Sequence, residues 1–369
     1  MASEELVALA AALDGGPAVG LGMLGPADAD RMPEGTAVVI STSGSSGVPK
    51  HVAISRAALR ASAAATAARI GSGRWLLALP SGYVAGIQVM VRSILAGTEP
   101  VVLDGAFSPR AFADATLPML GREALYTSLV PAQLSTLLDA TGDSSVLAAL
   151  RAYSAVLVGG QALPVPVRER ADELGVRLVR TYGSTETSGG CVYDGAPLDA
   201  VDVRVVDGEI RIAGPMLADG YLGDPDRTAQ TFVRDESGVR WYRTGDLGVV
   251  EDGLVRVHGR ADNVIVSGGI NISLDRVERI VRGIPGLTGA VVVGVDDERW
   301  GEASVIVAER GEALRRSEAE QLVQARDAVA AEIGKPARPA RLILVDELAT
   351  LHSGKPDRES IRRLAAELR

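Results

Sequence analysis

The chain has 369 residues, of which 47% are hydrophobic and 23% charged, a balance typical of soluble globular proteins large enough for more than one domain. Its net charge of −9 argues against a general nucleic-acid-binding surface, and its single cysteine, Cys191, excludes an intrachain disulfide. No apolar stretch reaches the roughly 18 residues of a membrane-spanning helix. The first residues, MASEELVALAAALDGG, are acidic where a signal peptide is basic. We therefore expect a cytoplasmic protein without a membrane span or a nucleic-acid partner.

A candidate phosphate-binding loop follows a short apolar run at 37–40 that predicts a buried strand. The next ten residues read STSGSSGVPK, and they include Ser41, Thr42, Ser43, Gly44, Ser45, Ser46, Gly47 and Lys50. Small residues let backbone N–H groups close around an anion, and the lysine adds a positive charge. The segment is not a Walker A motif, because Pro49 stands where glycine would precede the lysine. Taken alone, it also fits a flexible surface loop.

Lysine is rare in this chain. Only Lys50, Lys335 and Lys355 are lysines among 38 basic residues. Lysine supplies a compact charge on a flexible stem, whereas arginine is a planar fork. We therefore expect a need for an ammonium group at 50 and 355, where Gly and Ser surround the lysine, whereas chance retention remains the alternative for Lys335.

Helical and strand-like segments alternate from residue 55 to residue 181. Helices are predicted at 55–69, 85–96, 109–115, 131–140 and 164–174, and strands at 75–79, 100–103, 124–127, 155–158 and 176–181. This alternation predicts a mostly parallel sheet covered by helices, with ligands beyond the carboxyl ends of the strands. Gly159-Gly160 and Tyr182-Gly183 occupy such ends.

The pattern changes after residue 200. Asp207-Gly208 and Asp252-Gly253 each separate two alternating runs, so they predict hairpins in an antiparallel subdomain. Later segments predict a small α+β unit, with helices at 274–282 and 318–333 and strands at 290–295, 303–308 and 341–345. We predict an N-terminal domain over residues 1–261 and a C-terminal domain over residues 262–369.

Four further loops carry chemically useful groups. YGSTET at 182–187 contains Glu186, and a single carboxylate suits Mg²⁺ bound together with substrate phosphates. YRTGD at 242–246 predicts a carboxylate on a tight turn, suited to ribose hydroxyls. GRADNVIVSGGINI at 259–272 carries a charged pair and two glycines, and SGKPDR at 353–358 carries a second lysine. Each motif alone also fits a plain turn, a helix cap or a surface ion pair.

Together and in this order, the five motifs resemble the adenylate-forming superfamily of acyl-CoA synthetases, aryl-CoA ligases, luciferases and peptide-synthetase adenylation domains. The resemblance covers about residues 37–362. It implies a large N-terminal α/β domain with an antiparallel subdomain and a small mobile α+β C-terminal domain. It also implies that ATP with Mg²⁺ activates a carboxylate, that pyrophosphate leaves, and that the acyl group passes from acyl-AMP to a thiol such as that of CoA.

The resemblance also implies roles at matching positions. Lys50 closes the loop over the β- and γ-phosphates, and the adenine side is lined by Gly159, Gly160, Gln161, Tyr182 and Gly183. Thr185 contacts the α-phosphate and Glu186 the magnesium ion. Asp246 binds the ribose with Arg260 beside it, and Asp262 is the hinge. The thiol path is lined by Ser267, Gly268 and Gly269, and Lys355 bridges carboxylate and phosphate during adenylation.

Within the superfamily, the chain most resembles the short actinobacterial o-succinylbenzoate–CoA ligases of menaquinone biosynthesis, through LALPSGYVAGIQVMVRSILAG, TSLVPAQLSTLL and YGSTETSGGCVYDGAPLD. The implied acid pocket comprises Tyr83, Val84, Gly86, Gln88, Ser128, Gly183, Ser188, Gly189 and Gly190. Core packing is the alternative for Tyr83, Val84 and Gln88. We expect Arg92 at the surface or between domains, with a role in binding the acid as the alternative.

Two departures leave the acid open, because relatives commonly carry histidine near Gly82 and methionine at Ser184. Another aryl or cyclic acid, or a carrier-protein acceptor, is the first alternative. A non-catalytic nucleotide-binding protein is the second, and the presence of Lys50, Glu186, Asp246 and Lys355 argues against it. Related ligases suggest a homodimer.

Overall fold

A small sheet opens the chain in the computed structural model, which describes residues 2–21, 32–43, 49–103, 105–310, 317–351 and 355–368. Helix α1 (Ala2–Leu13) precedes strands β1 (Val19–Leu21), β2 (Thr36–Ser43) and β3 (Pro49–Ser55). Strands β2 and β3 pair antiparallel as far as Ser43 and Pro49. The candidate phosphate segment, residues 41–50, therefore begins on β2 and ends on β3. Lys50 lies on β3 rather than in a loop, as we had expected. Residues 44–48 lie outside the described part of the chain.

A seven-stranded sheet follows, and it confirms the predicted α/β alternation. Its strands are β4 (Arg74–Leu77), β5 (Val101–Val102), β6 (Leu125–Leu129), β7 (Ala155–Val158), β8 (Leu178–Ser184), β9 (Gly189–Tyr193) and β10 (Ala196–Pro197), in the spatial order β10-β9-β8-β7-β6-β4-β5. Strands β4 to β8 run parallel to one another, whereas β9 pairs antiparallel with both β8 and β10. The helices are α2 (Arg56–Ile70), α3 (Val84–Leu95), α4 (Pro109–Thr116), α5 (Pro131–Asp139), α6 (Ser144–Ala152) and α7 (Val165–Glu173). The sequence did not lead us to predict α1 or α6.

The parallel sheet separates two hydrophobic clusters. Trp75 and Leu77 of β4 belong to the cluster that contains Leu59 of α2. Leu76, between them, belongs to the other cluster, with Leu134 of α5. Successive side chains of a strand point to opposite faces, so the apolar run at 75–77 of β4 supplies both clusters. This burial fixes the sheet and holds the carboxyl ends of its strands at one edge.

The antiparallel region comprises β11 (Asp202–Val206), β12 (Glu209–Ala213), β13 (Gly220–Tyr221), α8 (Pro225–Thr231), β14 (Phe232–Arg234), β15 (Arg240–Glu251) and β16 (Leu254–Arg260). Both Asp-Gly hairpins are confirmed. The φ angles are 53° and 80° at Asp207 and Gly208, and 51° and 75° at Asp252 and Gly253, the left-handed pairs that a tight two-residue hairpin requires. Strand β13 leaves this region and pairs with β3.

The C-terminal region contains β17 (Val264–Ser267), β18 (Ile270–Ser273), α9 (Leu274–Val281), β19 (Val291–Asp297), β20 (Gly301–Glu309), α10 (Glu318–Glu332), β21 (Arg341–Val345) and α11 (Arg358–Glu367). Its sheet has the order β18-β17-β20-β19, with β21 parallel to β20. Two hydrophobic clusters lie wholly within this region, so it buries its own core. Across the described helices, none combines the length and the apolarity needed to cross a membrane.

Candidate active site

The phosphate segment lies beside an aromatic ring. Ser41 and Thr42 are half-buried on β2, and Ser41 Oγ lies 2.8 Å from Nδ1 of His51. The Lys50 ammonium lies 5.6 Å from the centre of the Tyr221 ring. Of the other predicted phosphate contacts, Gly44, Ser45, Ser46 and Gly47 lie outside the described residues, and Ser43 is described only by its backbone.

Tyr221 joins this segment to Glu186, the predicted magnesium-binding residue. Glu186 lies in a short 3-10 turn at Thr185–Thr187, and only 8% of its surface is exposed. The Tyr221 hydroxyl donates a 2.8 Å hydrogen bond to Glu186 Oε1. One tyrosine therefore contacts both a cation and a carboxylate of the predicted site. Sequence reasoning missed it, because the contact depends on the pairing of β13 with β3, which are far apart in the chain.

Lys355 comes from the C-terminal region to the same place. Its Cε lies 3.5 Å from the point where a Cβ would stand on Gly160, just beyond the end of β7. Much of the Lys355 residue is exposed, yet its ammonium end is sheltered, and burial lowers its pKa while the nearby Glu186 carboxylate opposes that shift. The neighbouring Gly159 has no room for a side chain, since a Cβ there would stand 2.3 Å from Thr181 Oγ1. Lys355 thus lies against Gly160, and its charge interacts with that of Glu186, whereas Ser353 and Gly354 lie outside the described residues.

The predicted adenine and ribose residues are hydrogen-bonded to each other. Tyr182 donates to Asp246 Oδ2 at 2.6 Å, and Arg260 Nη1 lies 3.5 Å from Asp246 Oδ1. Burial raises the pKa of the Asp246 carboxyl, while Tyr182 and Arg260 act in the opposite direction. Burial is also the main cause of the raised pKa of Tyr182.

Asp246 does not lie on a tight turn, as we expected, but within β15. The strand is locally bulged, with Gly245 at a φ of 70° and a shift in register between Leu247 and Gly248. Thr244 Oγ1 accepts from the Asp246 N–H at 3.0 Å and donates to the carbonyl of Ile210 at 2.7 Å. The bulge and the threonine together fix the direction of the carboxylate.

Charged contacts surround the predicted hinge residue. Arg260 makes two 3.0 Å hydrogen bonds to Asp262, which lower the pKa of the Asp262 carboxyl. Asp275, in the first turn of α9, accepts from the Arg260 N–H at 2.6 Å and from Asn263 Nδ2 at 2.7 Å. Helix α9 is therefore bound to the chain on both sides of Asp262. Sequence reasoning missed Asp275, which reads as an ordinary acidic residue near a helix start.

The described contacts of Ser267, Gly268 and Gly269 lie within the C-terminal region. The two glycines close the β17–β18 hairpin with φ angles of 57° and 81°. The Gly268 N–H donates to the Trp300 carbonyl at 2.8 Å, and a Cβ on Gly268 would stand 3.0 Å from the Trp300 ring. Ser267 pairs with Gly301 of β20. These contacts keep the segment within the C-terminal sheet.

Several predicted acid-pocket residues surround Gly189. The Cγ of Gln88 lies 3.2 Å from the position of a Cβ on Gly189. A Cβ on Gly183 would stand 2.1 Å from the Gly189 carbonyl oxygen, so close backbone contact requires glycine there. Ser188, at a φ of 52°, is fully buried and donates to the Met216 carbonyl at 2.7 Å, so its hydroxyl is held by the protein backbone.

The other predicted pocket residues lie on neighbouring elements. Tyr83 and Val84 begin α3 and are half-buried. Gly86 packs against Pro80, whose carbonyl oxygen would stand 2.3 Å from a Cβ at that position. Ser128 is buried on β6, and Gly190 follows Gly189 on β9.

Gln88 and Arg92, one helical turn apart on α3, are buried polar groups with unmet hydrogen-bonding capacity. Gln88 is 1% exposed, and neither atom of its side-chain amide has a hydrogen-bond partner among the described residues. Arg92 was expected at the surface or between domains, and that expectation is wrong, because only 8% of it is exposed and its partners belong to the N-terminal region. Its Nη2 lies 3.3 Å from Thr66 Oγ1 and 3.4 Å from the Tyr193 hydroxyl.

Arg92 forms no ion pair with a carboxylate among the described residues. Its guanidinium stands 5.0 Å from the Trp75 ring, and burial lowers its pKa. Its Nε is buried without a hydrogen-bond partner in the described part of the chain. Aromatic and hydroxyl partners from β4, α2 and β9 accommodate the arginine in the core. The described residues therefore leave part of the hydrogen-bonding capacity of Arg92 unmet.

Comparisons with known proteins agree with the family resemblance that the sequence motifs indicated. A family model described as AMP-binding enzyme matches residues 4–222, and one described as AMP-binding enzyme C-terminal domain matches residues 276–355. A probable 2-succinylbenzoate–CoA ligase from Mycobacterium tuberculosis H37Rv is 39% identical over 348 residues, which cover 92% of this chain and 87% of the relative.

Two solved structures are also similar. An o-succinylbenzoate CoA synthetase from Bacillus subtilis, in complex with its acyl-adenylate intermediate, aligns with a TM-score of 0.73 at 27% identity, over 89% of this chain and 69% of that one. An amide bond synthetase from Marinactinospora thermotolerans aligns with a TM-score of 0.77 at 28% identity, over 90% and 69%. The predicted α/β architecture with an antiparallel region and a smaller C-terminal region is confirmed.

Proposed function

The chain belongs to the AMP-binding enzyme family, and we propose that it activates o-succinylbenzoate with ATP and transfers the acyl group to CoA. In the first half-reaction, a carboxylate oxygen attacks the α-phosphorus and the bond to the β-phosphate breaks, giving acyl-AMP and pyrophosphate. In the second, the CoA sulfur attacks the acyl carbon and AMP leaves. The relative from M. tuberculosis carries the name of this activity, and the B. subtilis structure holds the corresponding acyl-adenylate.

The described geometry supports an ATP site in which charge neutralisation does most of the catalysis. Two anions react in the first half-reaction, so cationic groups that are held in position lower its barrier. We assign Lys50 to the β- and γ-phosphates, Thr185 to the α-phosphate and Lys355 to the space between carboxylate and phosphate. The position of Lys355 against Gly160, with its charge interacting with that of Glu186, supports this assignment.

The residues also fit Mg²⁺. No group of three or more His, Cys, Asp or Glu side chains that could enclose a metal occurs in the described part of the chain. Mg²⁺ usually binds through one or two carboxylates together with substrate phosphates, which one buried carboxylate at Glu186 satisfies. When bound, the ion would neutralise developing charge on the phosphates.

We propose the same division of the chain as the sequence indicated, with domains at 1–261 and 262–369, a hinge at Asp262 and a thiol path along Ser267–Gly269. That segment makes its described contacts within the C-terminal region, so it would reach acyl-AMP by a movement of that region about Asp262, which gives one arrangement for each half-reaction. The separate C-terminal hydrophobic clusters support a unit able to move as one body.

The observation that carries the choice of acid is the pair Gln88 and Arg92. A buried arginine without an anionic partner is costly, and charge-assisted hydrogen bonds are strong. Because o-succinylbenzoate is a dicarboxylate, one carboxylate can react while the other pairs with Arg92 and accepts from Gln88. Gly82 leaves space near the entrance of α3, since a Cβ there would meet no atom within 4 Å.

The test is kcat/KM, from acid-dependent pyrophosphate release, for o-succinylbenzoate, benzoate, salicylate and a medium-chain fatty acid. We expect o-succinylbenzoate to be preferred. A tenfold preference for a monocarboxylate, about 1.4 kcal/mol of discrimination, would reject the acid but keep the ligase. No release with any acid would favour a non-catalytic nucleotide-binding protein.

The acceptor and the assembly need their own measurements. CoA, a carrier protein and a simple amine should be supplied with purified acyl-AMP, because the amide bond synthetase is a close structural neighbour. We expect thioester formation with CoA to be fastest. Light scattering tests the expected homodimer.

A further inference from the structure

We propose that Arg358 and Glu278 are positioning residues for Lys355, acting through a partly buried ion pair that anchors the start of α11 to α9. The inference extends the proposed function, because it assumes that Lys355 acts in adenylation. It concerns two residues that do not approach the reacting groups themselves.

The carboxylate of Glu278 is the centre of the anchor. It is 7% exposed and accepts from Arg358 Nη2 at 2.8 and 2.7 Å, with one hydrogen bond to each oxygen. It also forms an ion pair with Arg282, whose Nη2 lies 2.9 Å from Glu278 Oε1, and it accepts a 2.9 Å hydrogen bond from the Val292 N–H. Arg358 in turn donates to the Val292 carbonyl at 3.1 Å. Nη2 thus spans the two carboxylate oxygens while Nη1 is held by the Val292 carbonyl, so the orientation of the guanidinium is fixed as well as its distance.

Short, restrained backbone connects this anchor to Lys355. Arg358 follows Lys355 by three residues, and Pro356 between them has a fixed φ. The Asp357 N–H donates to Ala349 at 2.8 Å, and the Leu351 N–H donates to the Lys355 carbonyl at 2.8 Å. Lys355 therefore lies beside a small antiparallel bridge between Thr350 and Pro356. Arg358 holds the chain that leaves this bridge on its C-terminal side.

Lys355 needs such an anchor because its ammonium works at the end of a long, flexible side chain. Holding four freely rotating bonds near Gly160 and Glu186 is entropically costly, and it requires that the backbone be placed correctly. A misplacement of about 1 Å can reduce a rate by about a hundredfold. Loss of the anchor should therefore slow the step that uses Lys355 and leave the other step unchanged.

Arg358→Ala is the preferred variant, because Glu278 keeps Arg282 and the Val292 N–H as partners. The control is Arg362→Ala on the same helix, where the arginine is 56% exposed and lies 3.8 Å from Glu359. We expect Arg358→Ala to lower kcat for pyrophosphate release with o-succinylbenzoate by about ten- to a hundredfold. Thioester formation from supplied acyl-AMP and CoA should stay within twofold of wild type, and Arg358→Lys should recover part of the loss.

A double-variant cycle separates positioning from general destabilisation. If Arg358 acts through Lys355, adding Arg358→Ala to Lys355→Ala should cause no further loss of pyrophosphate release. A multiplicative loss, or an equal fall in both half-reactions, would overturn the proposal. If Lys355→Ala has no effect on pyrophosphate release, the assigned role of Lys355 fails instead.

Hydrogen exchange tests the anchor without any substrate. The Leu351 and Asp357 amides should exchange about tenfold faster in Arg358→Ala, whereas those of Arg362→Ala should match wild type. Unchanged exchange in Arg358→Ala would overturn the anchor even if the acid proved to be a different one.

Discussion

The Tyr182 hydroxyl donates a 2.6 Å hydrogen bond to Asp246, 64 residues further along the chain. Tyr182 lies near the end of β8 in the seven-stranded sheet, whereas Asp246 lies in the antiparallel region. The bond therefore joins the two parts of the N-terminal region at the proposed nucleoside site. It presents a ring for adenine and a carboxylate for ribose as one unit.

Nucleoside binding should weaken in acid at a higher pH than an ordinary aspartate would give. Burial raises the folded-state pKa of Asp246 above 3.8, so the carboxylate becomes protonated early as the pH falls. The effect of acid on folding stability is the opposite. The ionised Asp246 carboxylate is unfavourable when buried, so its protonation stabilises the folded protein as the pH falls. The Kd of adenosine, which carries no phosphate, should rise as the pH falls from neutrality.

Two variants test this assignment. Asp246→Asn should bind adenosine weakly, and its Kd should not rise further as the pH falls. In Tyr182→Phe the rise in Kd should begin at a higher pH, because the hydrogen bond from Tyr182 lowers the pKa of Asp246. An identical pH profile in Asp246→Asn and wild type would contradict the role of this carboxylate.

Lys355→Ala should separate the two half-reactions. Acid-dependent pyrophosphate release should fall about a hundredfold or more, on the scale of losing one preorganised charge contact. Conversion of supplied acyl-AMP and CoA to thioester should be spared. Lys335→Ala is the matched control, and comparable losses in both steps of a folded Lys355→Ala protein would refute the division of labour.

Much of the fold could be predicted because its elements have strong local patterns. The strand at 155–158 and the helix at 318–333 follow directly from apolar runs and helical spacing, and both Asp-Gly turns require left-handed backbone. Helix α6 was missed. It is only nine residues long, and Asp143, which caps it through the Ser145 N–H at 2.8 Å, reads equally well as part of a loop.

The site could be predicted as a set of motifs but not as a set of contacts. Arg92 reads as a surface residue until β4 and β9 bring Trp75 and Tyr193 against it. Asp246 reads as a turn residue, because the sequence does not show that strands flank it on both sides. These errors share one cause, since burial by distant segments is not encoded in local spacing.

Gly269→Leu should block thioester formation while acyl-AMP still accumulates. Gly269 has a φ of 81°, and a Cβ there would meet no atom within 4 Å, so a side chain would project into open space along the proposed thiol path. Gly269→Asn is the control, because asparagine tolerates this backbone conformation with a smaller side chain. Wild-type thioester formation from acyl-AMP in Gly269→Leu would reject the path.

Asp262→Pro should also arrest the enzyme after acyl-AMP by stiffening the proposed hinge. The substitution removes the pair with Arg260 as well as backbone freedom, so Asp262→Ala is needed beside it. Only the proline variant should lose the second half-reaction. Equal thioester rates in the two variants would place the hinge elsewhere.

Substitutions at Gln88 and Arg92 should affect the acid far more than ATP. Gln88→Leu removes a buried amide that has no protein partner among the described residues, so the free protein should become no less stable while KM for o-succinylbenzoate rises. Arg92→Met keeps a long side chain and removes the charge, so kcat/KM for the dicarboxylate should fall by about tenfold to a hundredfold, on the scale of a charge-assisted hydrogen bond. KM for ATP should change less than twofold in both variants. Benzoate, which lacks the second carboxylate, is the internal control, and its kcat/KM should not fall in Arg92→Met. An equal loss for both acids would mean that Arg92 supports only the fold of α3, and the second carboxylate would then have to bind elsewhere.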